Sequence, residues 1–223
     1  MRTIAIGDIH GCALALDALL RAIRPEPDDC IVTLGDYVDR GPDSRGVIER
    51  LIRLRDECTL VPLLGNHDEL FLHACRGEHV SAFLMMGGQE TMESYQAGDP
   101  PDFGAVPAQH RAFLEGCSSS FEVDAFFFVH ASYVPNLPLA EQPALALRWE
   151  KLHDEIPPPH VSGKTAIVGH TSQKDGEILD AGHIRCIDTW CCGGGWLTAM
   201  EVESGRLWQA DREGRIRGIN VPL

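Results

Sequence analysis

The stretch Cys30-Ile31-Val32-Thr33-Leu34-Gly35-Asp36-Tyr37-Val38-Asp39-Arg40-Gly41 decides the fold. Its first half is an apolar run that reads as a buried strand. Its second half holds two carboxylates and one guanidinium between flanking glycines. Charged residues placed there fall at the C-terminal end of the strand, where ligands bind in open α/β sheets. Two stretches of the same shape flank it: Ile4-Ala5-Ile6-Gly7-Asp8-Ile9-His10-Gly11 upstream and Leu60-Val61-Pro62-Leu63-Leu64-Gly65-Asn66-His67-Asp68 downstream. In each, a short apolar run ends in glycine and then in residues that bind hard metals. Residues 12–34 and 42–64 fill the gaps, 23 residues each, enough for a helix and a returning strand. The order is βαβαβ, so this part of the sheet is parallel.

Working outward, strands are predicted at 2–7, 30–34 and 59–64. The first helix, 13–23, places Leu16, Leu19, Leu20 and Ile23 on one face and ends before Pro25 and Pro27. Asp43-Ser44 offers an N-cap to a second, striped by Val47, Ile48, Leu51, Ile52 and Leu54. A helix after Asn66 stops near Gly77. Residues 78–118 are less regular, with a loop at 98–107 and a short helix at 107–116. They are expected to form a small cap over the site and to carry specificity. Strands follow at 119–124, 125–130 and 165–169, with a helix at 139–152 and a rigid Pro157-Pro158-Pro159 spacer. The runs 177–180, 184–188, 196–203 and 206–210 are hairpin-like and imply a second, mixed sheet packed on the first. The tail after Ala210, with Arg212, Arg215 and Arg217, is not assigned. The expectation is one domain over residues 1–223: an α/β sandwich of two mixed sheets flanked by helices.

The net charge of −14, with no basic run to offset it, excludes a general nucleic-acid binder. No apolar run approaches the roughly 20 residues of a membrane span. Met1-Arg2-Thr3 enters the first strand directly. The eight cysteines include no CxxC pair, and they are read as reduced, buried thiols of a cytoplasmic chain. The sequence sets no oligomeric state.

Five motifs in order carry a resemblance: Gly7-Asp8-x-His10-Gly11, Gly35-Asp36-x-x-Asp39-Arg40-Gly41, Gly65-Asn66-His67-Asp68, Phe128-Val129-His130-Ala131 and Val168-Gly169-His170-Thr171. Together they resemble the phosphoprotein-phosphatase branch of the calcineurin-like metallophosphoesterases, over about residues 3–202. The resemblance implies two divalent ions, Mn²⁺ first and Fe or Zn as alternatives, about 3.5–4 Å apart and bridged by an attacking hydroxide. It assigns Asp8, His10 and Asp36 to one ion. Asp36 bridges to the other, which Asn66, His130 and His170 complete. It makes His67 the general acid, oriented by Asp39, and Arg40 a phosphate clamp. Arg148 is the candidate second arginine, chosen by position. Relatives usually carry glycine where this chain has Trp190.

A lone aspartate after a strand is usually a turn or cap residue, and a lone histidine a packing residue. The ordered set, each member after an apolar run, outweighs those readings. His73, His79, His110, His153, His160 and His183 lack that context and are read as ordinary. The Trp190–Trp196 loop reads equally as substrate-lining or as a strand connection. The leading function is phosphomonoester hydrolysis on phosphoserine and phosphothreonine side chains of proteins, with phosphotyrosine or a small phosphoester as further candidates. The alternative is symmetrical dinucleoside tetraphosphate hydrolysis, performed by a sister family that typically has Ala where this chain has Asp39. A third reading is a catalytically silent metal-binding regulator.

Overall fold

The computed structural model describes residues 1–152 and 155–219. The chain opens with β1 (Thr3–Ile6), α1 (Ala13–Ile23), β2 (Cys30–Thr33), α2 (Ser44–Leu54) and β3 (Thr59–Pro62). β1 pairs in parallel with β2, and β2 with β3, as the βαβαβ reading requires. Leu16, Leu19, Leu20 and Ile23 of α1 are buried. The Asp43 side chain accepts the Gly46 N–H at 2.8 Å and caps α2.

α3 (Asn66–Cys75) follows. The segment read as irregular is largely helical: α4 (Val80–Phe83), one π-helical turn at Leu84–Gly88, α5 (Gln89–Ser94) and α6 (Ala108–Glu115). Gly87, at φ 104°, breaks the pattern there. β4 (Ser120–Val123), β5 (Phe126–Val129), α7 (Ala144–Trp149) and β6 (Thr165–Val168) come next. The helix expected over 139–152 is cut down to a 3₁₀ turn at Leu139–Glu141 and the short α7. Pro143 is the cause: the residue before a proline is biased away from the helical region, and Gln142 is extended.

The remaining strands are β7 (Leu179–Asp180), β8 (Ile184–Cys186), β9 (Asp188–Thr189), β10 (Trp196–Glu201), β11 (Arg206–Ala210) and β12 (Ile216–Ile219). They do not form one sheet, as the hairpin reading had it. β7 and β8 complete a second sheet ordered β4-β5-β6-β8-β7. β10 pairs antiparallel with β1, so the first sheet runs β12-β11-β10-β1-β2-β3, with β9 also on β10. The unassigned tail supplies its edge strand, β12.

Side-chain alternation sorts the core into layers. Ala5, Val32 and Met200 of the first sheet pack with Phe128 and Ile167 of the second. Ile4, Ile6, Ile31 and Ala199 face the other way, against α1 and α2. Phe127, Val129, Ala166 and Val168 face Leu147 and Leu152. All eight cysteines are free thiols. Among the described residues, no helix is long and apolar enough to cross a membrane.

Candidate metal centre and cavity

The parallel strands of both sheets end at one edge of the sandwich. Asp8 and His10 follow β1, Asp36 follows β2, and Asn66 and His67 open α3 after β3. His130 follows β5 and His170 follows β6. The motif glycines let these ends meet. A Cβ on Gly41 would lie 1.9 Å from the His10 carbonyl oxygen, and one on Gly65 2.1 Å from Asp36 Oδ1.

Backbone carbonyls anchor three imidazoles. His10 Nδ1 donates to Val38 O at 2.9 Å, His130 Nδ1 to Leu34 O at 2.8 Å, and His170 Nε2 to Trp149 O at 3.1 Å. A neutral ring held in this way turns a bare nitrogen inward. Burial pushes His10 down to about 3 and His170 down to about 4, so both rings are neutral at pH 7. The inward nitrogens of His130 and His170 lie 3.1 and 3.0 Å from Asn66 Oδ1. His130 Nε2 is also 3.5 Å from Asp36 Oδ1. Lone pairs crowded together without protons repel one another unless a cation lies among them, so this donor set fits a divalent metal. His10, Asp36 and His67 make a second group, and Asp36 belongs to both.

Asp8 is placed differently from the other acidic residues. Both of its carboxylate oxygens accept the His170 N–H, at 3.1 Å. Burial, and after it the Asp188 and Asp36 carboxylates, raise Asp8 well above the usual carboxyl range. A cation is what would relieve that crowding of negative charge.

His67 Nδ1 donates to Asp39 Oδ2 at 2.7 Å. Burial opposes a charged His67 ring, but Asp36 and Asp39 outweigh it and raise the ring above the ordinary histidine value. Arg40 spans the site, with Nη1 donating to His10 Nε2 at 2.8 Å and Nη2 to His67 Nε2 at 2.7 Å. Asp39 and Arg40 both have left-handed backbones, at φ 73° and 69°. Residues 78–118 hold them there. The Arg40 N–H donates to Gly87 O at 3.0 Å, the Asp39 N–H to Thr91 Oγ1 at 2.8 Å, and the Thr91 hydroxyl to Asp39 Oδ1 at 2.8 Å.

A cavity of about 370 Å³ opens over this centre. Asp36, Arg40, Asn66, His67 and His170 line its floor, and Met86, Trp149, Lys151, Lys174 and Trp190 its walls. Met86 is the one residue of 78–118 in that lining. Arg148 is not in it, contrary to the choice made by position. α7 directs its guanidinium to Glu69, at 2.7 Å, and to Ser119 Oγ, at 3.3 Å. The cationic wall belongs to Lys151 and Lys174.

Sequence reasoning missed several residues here. Asp188 is buried and accepts from Ser172 Oγ at 2.7 Å and from the Trp190 N–H at 3.0 Å. Ile184-Arg185-Cys186-Ile187-Asp188 also ends in aspartate, but Arg185 interrupts the run and no glycine precedes Asp188. Asp68, the last residue of the third motif, joins two motif loops. Its carboxylate accepts the N–H groups of Asp36 at 2.7 Å, Tyr37 at 2.9 Å and Gly65 at 3.1 Å, fixing one motif loop to the next. Lys151 and Lys174 carry no local signal.

The fold and this donor set define a metal-dependent phosphoesterase. The chain belongs to the calcineurin-like phosphoesterase family, whose model matches residues 1–195. It is 29% identical over 215 residues to a serine/threonine-protein phosphatase 1 of Salmonella typhimurium, covering 89% of this chain and 90% of that one. It is 27% identical over 268 aligned positions to a symmetrical bis(5'-nucleosyl)-tetraphosphatase of Erwinia tasmaniensis, covering 93% and 96%. Among solved structures, a putative diadenosine tetraphosphatase superposes with a TM-score of 0.71 at 24% identity, covering 94% of this chain and 92% of that one.

Asp68→Ala should cost on the order of 3 kcal/mol, because three buried N–H groups lose their shared acceptor. Asp43→Ala, which only uncaps α2, should cost about 1 kcal/mol. Urea denaturation of both variants checks this, and equal losses would remove the loop-fixing role of Asp68.

Proposed function

We propose that the chain is a dinuclear, metal-dependent phosphomonoesterase acting on phosphoserine and phosphothreonine side chains of proteins, with Mn²⁺ as the working metal. The observation that carries it is the Asp39–His67 pair, at 2.7 Å, with His67 set among the donors that gather around Asp36. Asp8, His10 and Asp36 would hold one ion, and Asp36, Asn66, His130 and His170 the other. Bound there, the ions supply charge neutralisation at the phosphoryl group and a water acidic enough to ionise near neutral pH.

The chain's own residues do the rest. The fork of Arg40 already reaches over the floor between His10 and His67, where phosphoryl oxygens could take its two N–H groups. Protonation turns His67 Nε2 from acceptor to donor, facing the leaving oxygen. Asp39 holds the ring's other nitrogen and stabilises the charged form. An intact dyad and arginine also weigh against a silent regulator.

Two features support a protein substrate. Asp39 stands before Arg40, and the chain aligns with the Salmonella phosphatase over 215 positions, close to its own length. The Erwinia tetraphosphatase aligns over 268 positions, more than the 223 residues of this chain, so that relative carries insertions this chain lacks. The second reading, tetraphosphate hydrolysis, is favoured by Lys151, Lys174, Trp149 and Trp190 around the cavity.

Asp36→Asn should lower Mn²⁺ uptake at both sites, whereas Asp43→Asn should not. Calorimetric titration checks this, and two full sites in the Asp36 variant would count against the shared ligand. His67→Asn should keep metal binding but lower kcat by roughly 10²–10⁴ on a phosphoserine peptide, and by much less on p-nitrophenyl phosphate, whose leaving group needs no proton. Equal losses on the two substrates would remove the acid role. Assayed side by side with Mn²⁺, phosphoserine peptides should exceed diadenosine tetraphosphate in kcat/KM. A tenfold advantage for the tetraphosphate, about 1.4 kcal/mol, would replace the first reading by the second.

A further inference from the structure

The chain has three lysines, and two of them, Lys151 and Lys174, line the cavity over the candidate metal centre. The third, Lys164, pairs with Glu122 at 3.1 Å. Among the described residues neither Lys151 nor Lys174 has a carboxylate partner, although acidic residues outnumber basic ones by 33 to 19. Several arginines are paired, including Arg45 with Glu49, Arg50 with Glu57 and Arg148 with Glu69. What sets Lys151 and Lys174 apart is their place, both lining the one cavity that also holds Asp36, Arg40, Asn66 and His67.

Their loops are built into the site. Lys151 follows Trp149, whose carbonyl anchors the His170 ring. The Leu152 N–H donates to Thr171 Oγ1 at 3.0 Å, tying the Lys151 loop to the segment that continues to Lys174. That segment is fixed by Ser172 Oγ on the Asp188 carboxylate and by the Gln173 N–H on the Asp188 carbonyl, at 2.8 Å. Asp188 also holds the Trp190 N–H. Trp190 sits at φ 64°, a left-handed conformation that disfavours any side chain. Its indole lies against Gly193, where a Cβ would come within 2.0 Å of the ring, and Lys174 Nζ stands 5.6 Å from the ring centroid. A strained, over-determined residue at a cavity wall points to a role in binding.

We propose that Lys151 and Lys174, with Trp190 as the backing wall, form a second anion subsite that takes a negatively charged group of the substrate beyond the phosphoryl group being cleaved. The shared chemistry is an anionic oxygen cluster. It comes either from a carboxylate flanking the phosphorylated residue of a peptide or from a further phosphoryl group of a polyphosphate. The subsite rests on the phosphoesterase reading for its substrate, but its anion binding is measurable without turnover.

Four proteins decide it: the wild type, Lys151→Ala/Lys174→Ala, Lys151→Arg/Lys174→Arg, and Lys164→Ala as a control lysine away from the cavity. Calorimetry compares tripolyphosphate with orthophosphate binding to the Mn²⁺-loaded proteins. kcat/KM is then compared for phosphoserine peptides flanked by glutamate or by alanine, and for diadenosine tetraphosphate. The wild type and Lys164→Ala should prefer the more anionic member of a pair by about tenfold. The double variant should bring that ratio near one, and Lys151→Arg/Lys174→Arg should restore it. Loss of the peptide ratio assigns the subsite to flanking carboxylates, and loss confined to the phosphates assigns it to a polyphosphate. Unchanged ratios in the double variant would overturn the subsite. Absence of all turnover alongside an intact difference in tripolyphosphate binding would instead overturn the proposed reaction and leave the subsite standing.

Discussion

Asp8, Asp36, Asp39, Asp68 and Asp188 are all buried at one edge of the sandwich, and the local structure depends on compensating their charge. A buried carboxylate without partners is costly. Three of the five are satisfied from within the chain. Asp68 takes backbone N–H groups of two motif loops, Asp39 takes His67 and Thr91, and Asp188 takes Ser172 and the Trp190 backbone. Asp8 takes only the His170 N–H and is crowded by Asp188 and Asp36, and this is where the donor set calls for a cation.

The same constraint explains the glycines around them. Charged groups on separate strand ends can share a cation only if the backbones approach more closely than a Cβ permits. Gly41 against His10 and Gly65 against Asp36 provide that approach. The edge then behaves as one body, and substitutions there act on the whole charge cluster rather than on one contact.

Above the negative floor the cavity wall is positive. Arg40 belongs to the floor's own motif, whereas Lys151 and Lys174 come from loops after α7 and β6. Arg148 is drawn away by Glu69, which also accepts the Trp149 indole N–H at 2.8 Å. That pairing leaves the C-terminal end of α7, rather than its side face, turned to the cavity.

The sequence alone determined the βαβαβ start and the helix faces, because each is local: an apolar run, its period, and the residue that ends it; the six candidate ligands came from the resemblance that the ordered motifs carry. Only the tertiary structure decided which sheet each late strand joins, since β8 and β10 are both short apolar runs and pairing partners lie far away in sequence. It also decided the cationic wall. Whether a lysine or an arginine reaches the cavity depends on which carboxylate lies nearer, and that distance is set by packing between α3 and α7, which no local pattern encodes.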